Sequence, residues 1–206
     1  MANIRRAKLI SRSRTALGKV VHTIKVTLRG SRPSVWRRLE VPSGTTLQQF
    51  HHLIQAAFGW DGYHMWTFET PQDRYGVADR ELGIRSAASK RLDQVAPGVG
   101  DKFSYTYDFG DNWEHDILVE AITDAEAGIP YPRCLTGRRA CPPEDCGGMW
   151  GYQYLIEILA DPRHEEHDER LEWLGLDIAD QFDPAAFDLA EVNSALSGFA
   201  SILIEN

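Results

Sequence analysis

The sequence predicts an α+β domain with a mixed or antiparallel sheet, a β-grasp-like ββα start and a closing group of helices. Three observations support this: alternating apolar residues near the start, a capped helical face directly after them, and a change to helical spacing beyond Gly147-Gly148.

Ile24, Val26 and Leu28 alternate with Lys25, Thr27 and Arg29, the period of a half-buried strand. Gly30-Ser-Arg-Pro33 turns the chain into a second strand, Val35 to Val41, so a hairpin is expected. Thr45 with Gln48 three residues later fits a capping box. Leu47, Phe50, Ile54, Ala57 and Phe58 then share one face of a helix over 46–58 that Gly59 ends. His64, Trp66 and Phe68 mark a third strand, and 71–100 reads as a polar, glycine-punctuated surface excursion.

Phe103, Tyr105, Tyr107 and Phe109 occupy one face of a fourth strand. Beyond Gly110-Asp-Asn, the residues Trp113, His115, Ile117 and Val119 share one face of a fifth. After Gly148, Tyr152, Leu155, Ile158 and Leu159 cluster as on a helix until Asp161-Pro162 stops it. A further helix runs through Leu171 and Leu174. Asp183-Pro184 places a capping carboxylate before a proline, and Phe187, Val192 and Leu196 suit a last helix packed on the sheet. The expected organisation is a flexible basic leader over residues 1–19 and a single domain over 20–206.

Composition agrees with one domain: 206 residues, 43% hydrophobic and 10% aromatic, suffice for one sizeable core. No stretch approaches the roughly 20 apolar residues of a membrane helix, and Met1-Ala-Asn-Ile-Arg-Arg lacks the apolar run of a secretory signal. A cytoplasmic location, away from membranes, is the expectation. The net charge of -8 is unevenly spread. Residues 1–39 hold eleven of the 22 bases and none of the 30 acids, whereas from Met149 onward there are thirteen acids and two bases. The basic start either pairs with the acidic remainder or contacts nucleic acid or an acidic protein partner through residues 1–38. The acidic C-terminal third repels a phosphate backbone.

The candidate chemistry lies between Tyr105 and Gly148. Asp108, Asp111, Glu114, Glu144 and Asp145, with His115, offer an acid/base cluster if they converge in a cleft. Otherwise Asp108 and Asp111 serve the turn, and Glu144 or Asp145 the approach to the next helix. Tyr107 and Trp113 belong either to the sheet core or to a stacking platform. The candidate binding surface is therefore Tyr107, Asp108, Asp111, Trp113, His115, Glu144 and Asp145.

All three cysteines, Cys134, Cys141 and Cys146, fall in one Pro/Gly-rich stretch. An odd count in a chain without a signal argues against a disulfide framework. Three readings follow: packed thiols, a redox pair, or structural zinc with His115 or His164 as the fourth ligand. His164 and His167, three apart amid acids, are a further metal option or a solvated face.

Trp36-Arg-Arg, His64-Met-Trp-Thr-Phe, Tyr107-Asp-Phe-Gly-Asp-Asn-Trp-Glu-His115, Ala140-Cys-Pro-Pro-Glu-Asp-Cys-Gly-Gly148, Asp161-Pro-Arg-His164 and Phe182-Asp-Pro184 stand in one order over roughly residues 20–195. In these motifs the chain resembles the plasmid pRiA4b ORF-3 family. The resemblance implies association with plasmids and other mobile elements, and some members carry a resolvase-like label. Serine recombination needs a nucleophilic serine among arginines and a basic DNA-binding module. Ser11-Arg-Ser-Arg14 is the one candidate, in a leader that predicts no surrounding strand or helix.

Three functions stand at this point. The first is a non-catalytic binding or adaptor domain. The second is a metal-assisted hydrolase using His115 and the cysteine loop, and the third is a nucleic-acid accessory factor acting through the basic start.

Overall fold

The computed structural model describes residues 20–199, so the expected leader, and Ser11 to Arg14 within it, lie outside the described residues. The chain opens as the alternation requires. Strand β1 (Val20–Leu28) pairs antiparallel with β2 (Trp36–Pro42), and helix α1 (Leu47–Phe58) follows. Ile24, Val26, Leu28, Leu39 and Val41 face inward and meet Phe50, Leu53, Ile54 and Phe58 of the helix. Burying each such side chain stabilises the fold by about 1.5–3 kcal/mol.

The capping box sits one residue later than expected. Gln49 N donates to Thr46 Oγ1 (3.2 Å) and Thr46 N donates to Gln49 Oε1 (2.8 Å). Thr45-Thr-Leu-Gln-Gln49 contains the motif in two registers, and the structure uses the second. Gly59, at φ 76, ends the helix.

Strands β3 (Trp66–Glu69), β6 (Lys102–Tyr107) and β7 (Trp113–Asp124) continue the sheet. Three more strands, absent from the sequence reading, complete it: β4 (Arg74–Gly76), β5 (Ile84–Ser86) and β8 (Arg133–Arg138). The order is β5-β4-β3-β6-β7-β1-β2-β8, antiparallel throughout except for the parallel pair β4–β5.

The segment 71–100 is therefore not a surface excursion. Tyr75, Ile84, Ala87, Leu92, Val95 and Ala96 are buried, and a short helix, α2 (Leu92–Val95), closes it. Backbone bonds from Leu92 N to Thr45 O (2.9 Å) and from Leu47 N to Lys90 O (2.7 Å) tie it to the start of α1.

Helices concentrate at the C-terminal end: α3 (Gly148–Ala160), α4 (His167–Leu174) and α5 (Leu189–Ser197). The last begins at Asp188, whose carboxylate accepts from Ala190 N and Glu191 N, and not at Asp183. Asp183 instead accepts from Ala185 N in a turn preceding the helix. Among the described residues no helix is long and apolar enough to cross a membrane.

Of the five basic residues in 20–38, Arg29 and Arg38 are ion-paired. Arg29 pairs with Glu114 (3.1 Å) and Asp116 (2.6 Å), and Arg38 with Glu120 (2.5 Å). Arg37 points into the core, where its guanidinium donates to Ala57 O, Trp36 O, Arg138 O and the Cys141 sulfur.

Candidate functional site

Three segments meet at the end of the sheet where β6 turns into β7. They are the loop 61–65 after α1, the turn 108–112, and 142–148 leading into α3. Each uses backbone conformations that its residues tolerate. Asp108 (φ 53), Asn112 (φ 55) and Asp145 (φ 58) are left-handed, a region that Asp and Asn enter more readily than most residues.

Side chains then lock the segments together. Tyr107, fully buried, donates its hydroxyl to Glu144 Oε1, and Glu144 Oε2 accepts from Asp61 N (2.7 Å). Trp60 Nε1 donates to Pro142 O (2.8 Å), and Gly147 N donates to Asp111 Oδ2 (3.1 Å). Burial, with the Glu144 carboxylate beside it, pushes the Tyr107 phenol above its ordinary pKa of 10. It therefore acts as a neutral donor. Tyr107→Phe removes one charge-assisted bond and is expected to cost about 1.5–3 kcal/mol. Denaturant midpoints check this, with Glu144→Gln, which keeps an acceptor, losing less.

What this lock presents to solvent is a histidine between two carboxylates. His64 Nε2 lies 3.2 Å from Asp145 Oδ1, and Nδ1 lies 3.8 Å from Asp108 Oδ2. Asp108 is 8% exposed. Its Oδ1 accepts from Gly110 N (2.8 Å), while the described residues give Oδ2 no hydrogen bond. Among the described residues, these three are the one His/Cys/Asp/Glu group with donor atoms all within 4.8 Å of one another.

Three exposed aromatics belong to the same or adjoining segments, Tyr63 (85% exposed) and Phe109 in the loops and Trp150 (85%) in the first turn of α3, while Tyr154 and Trp173 are exposed farther along the chain. Phe109, expected on one face of the fourth strand with Phe103, Tyr105 and Tyr107, stands instead in the turn beyond it.

The candidate binding residues thus divide by role. Asp108 and Asp145 face the open cluster, whereas Tyr107, Asp111 and Glu144 hold the loops that position them. Trp113 is core, 5.8 Å from Trp60 by ring centroids. His64, the central member, was legible in the sequence only as a strand residue.

His115 does not join the site. Its ring is fully buried, edge-on to Phe58 (4.9 Å) and Trp60 (5.4 Å), and burial pushes its pKa down to about 4. The thiols are equally separate: Cys134 donates to Thr136 O, Cys146 to Gly148 O, and Cys141 accepts from Arg37. Burial pushes the Cys141 and Cys146 thiols up to about 12. Among the described residues, Cys134, Cys141, Cys146 and His115 do not stand together as a close group of donor atoms. The strand and loop that carry them aim each side chain at a different neighbour. His164 and His167 are likewise engaged locally, His164 Nδ1 with Glu166 N and His167 Nδ1 with Asp168.

A buried polar network lies beneath the site. Tyr105 hydroxyl bonds with His51 Nδ1 (2.6 Å) and accepts from Gln55 Nε2 (2.8 Å), and His51 stacks on Trp66 (4.1 Å). The helix periodicity marked Phe50 and Ile54 but gave no sign of these polar neighbours, which use the same inward face.

Residues 20–191 match the family described as plasmid pRiA4b ORF-3-like protein. The chain is 40% identical over 181 residues to the uncharacterized protein y4hQ of Sinorhizobium fredii (strain NBRC 101917 / NGR234), covering 86% of this chain and 91% of that protein. It also resembles the crystal structure of the protein of unknown function MM3350 from Methanosarcina mazei Go1. There the TM-score is 0.75 at 36% identity, over 84% of this chain and 97% of the other.

Proposed function

The chain belongs to the plasmid pRiA4b ORF-3-like family, and from that premise we propose that it is a non-catalytic binding or adaptor domain. Its ligand surface is the sheet end bearing His64, Asp108 and Asp145, and it is directed at a positively charged ligand. The observation that carries this reading is the pair of carboxylates flanking His64, exposed Asp145 and largely buried Asp108, held by segments that lock onto one another. Exposed Tyr63 and Phe109 add the apolar contact area that recognition surfaces use. His115, the acid/base candidate of the sequence, is enclosed in an aromatic box, and Cys141 accepts from the Arg37 guanidinium.

A nucleic-acid role through residues 1–38 draws little support from the described part of that segment, where Arg29 and Arg38 are already ion-paired. Deleting residues 1–19 and measuring oligonucleotide binding against salt separates the two readings.

The reading is tested by thermal unfolding at low ionic strength with three cationic probes: Zn2+, spermidine and an oligolysine peptide. At least one raises the unfolding temperature of the wild type, and does so less for Asp145→Asn. No response to any probe, or an equal response in the variant, contradicts it.

A further inference from the structure

We propose that His64, Asp108 and Asp145 bind one divalent transition-metal ion. The inference rests on the cation-directed reading above and names its ligand.

Donor chemistry supports it first. One imidazole with two carboxylates is a mixed nitrogen and oxygen set, suited to Zn2+, Mn2+ or Fe2+ more than to the all-oxygen preference of Ca2+ or Mg2+. Charge supports it second: two carboxylates supply the negative charges that balance a dication. The independent structural observation is Asp108. Its side chain is 11% exposed, with Oδ1 held by Gly110 N, while the Oδ2 facing His64 takes no hydrogen bond from the described residues and keeps access to solvent, the nearest imidazole nitrogen being 3.8 Å away.

Geometry permits closure. Metal–ligand bonds of about 2.0–2.2 Å put neighbouring donors roughly 3 Å apart. The present donors lie within 4.8 Å, and Asp145, with its side chain 67% exposed on a loop, can move the remaining distance. Glu144 stays outside the set, since both its oxygens are committed to Tyr107 and Asp61 N. Three protein ligands leave coordination positions to water or to a ligand bridging the ion.

The test is titration calorimetry of metal-free protein with Zn2+, paired with the absorption spectrum of the Co2+-loaded form. One ion per chain is expected, with affinity reduced about tenfold or more in both Asp145→Asn and Asp108→Asn. Asparagine retains the left-handed backbone at both positions. Asp145 is exposed, so its variant folds even if that at Asp108 does not. The Co2+ spectrum should lack a thiolate charge-transfer band, and Cys141→Ser should bind as the wild type does. A thiolate band, or affinity lost in Cys141→Ser and kept in Asp145→Asn, overturns the proposal in favour of the cysteines. If Zn2+ does not bind while spermidine or oligolysine still binds through Asp145, the metal proposal falls and the cation-directed reading stands. If none binds, both fall.

Discussion

Gly151→Ala is expected to destabilise the domain by about 3 kcal/mol, although glycine-to-alanine inside a helix ordinarily stabilises by about 1 kcal/mol. The reversal comes from one close approach. Gly151 lies in the first turn of α3, where Gly151 N donates to Gly147 O (3.0 Å), and a Cβ there would overlap the carbonyl oxygen of Cys146. Helical Cβ atoms point towards the N-terminus, so the added methyl is aimed at the incoming chain. The obstacle is backbone, which no rotamer change removes. The segment that must yield is 142–147, which carries Glu144 and Asp145. The same substitution is therefore expected to loosen the Tyr107–Glu144 bond and weaken ligand binding. Urea unfolding measures the first effect, and wild-type or higher stability would contradict the packing described.

Acid is expected to remove about 6 kcal/mol of stability between pH 6.5 and pH 4 through two histidines, about 3 kcal/mol from each. Burial pushes His51 down to about 3, with neighbouring His52 adding to the shift, and pushes His115 down to about 4. In the unfolded chain both titrate near 6.5. Between the two states' values the unfolded chain holds more protons, so stability is full above pH 6.5 and falls as pH falls towards 4. For His51 the loss continues towards pH 3. The sum is comparable with the total stability of an ordinary domain, about 5–15 kcal/mol, so this window includes acid unfolding. His115→Met removes one titrating group at similar volume and is expected to flatten the slope of stability against pH by about half over this window. A slope unchanged by that substitution would contradict the account of His115.

Elements with a long, regular period were legible in the sequence: β1, β2, α1, β6, β7 and α3 all follow from their apolar spacing. Those that escaped were short or irregular. Strands β4 and β5 have three residues each, too few to display a period. Strand β8, Arg-Cys-Leu-Thr-Gly-Arg, buries only Cys134 fully, and its register against β2 shifts at Arg38/Leu39. The cap at Asp188 was hidden behind the stronger Asp-Pro signal five residues earlier.

At the site, Asp108 and Asp145 were legible as carboxylates beside turn glycines. Their convergence on His64 was not, because it depends on left-handed backbone at both aspartates and on contacts between segments far apart in the chain. His115 misled for the opposite reason. Its place in an aromatic and acidic run suggested chemistry, yet strand alternation turns it inward with Trp113 and Ile117.

The most direct measurement is a map of amide NMR signals as Mn2+ is added to the protein at low ionic strength. The account predicts paramagnetic broadening centred on 61–65, 107–112 and 142–148, and its loss in Asp145→Asn. Broadening centred on the acidic helices beyond Asp161, or spread evenly over the surface, would contradict the claim that this sheet end is where the domain receives its ligand.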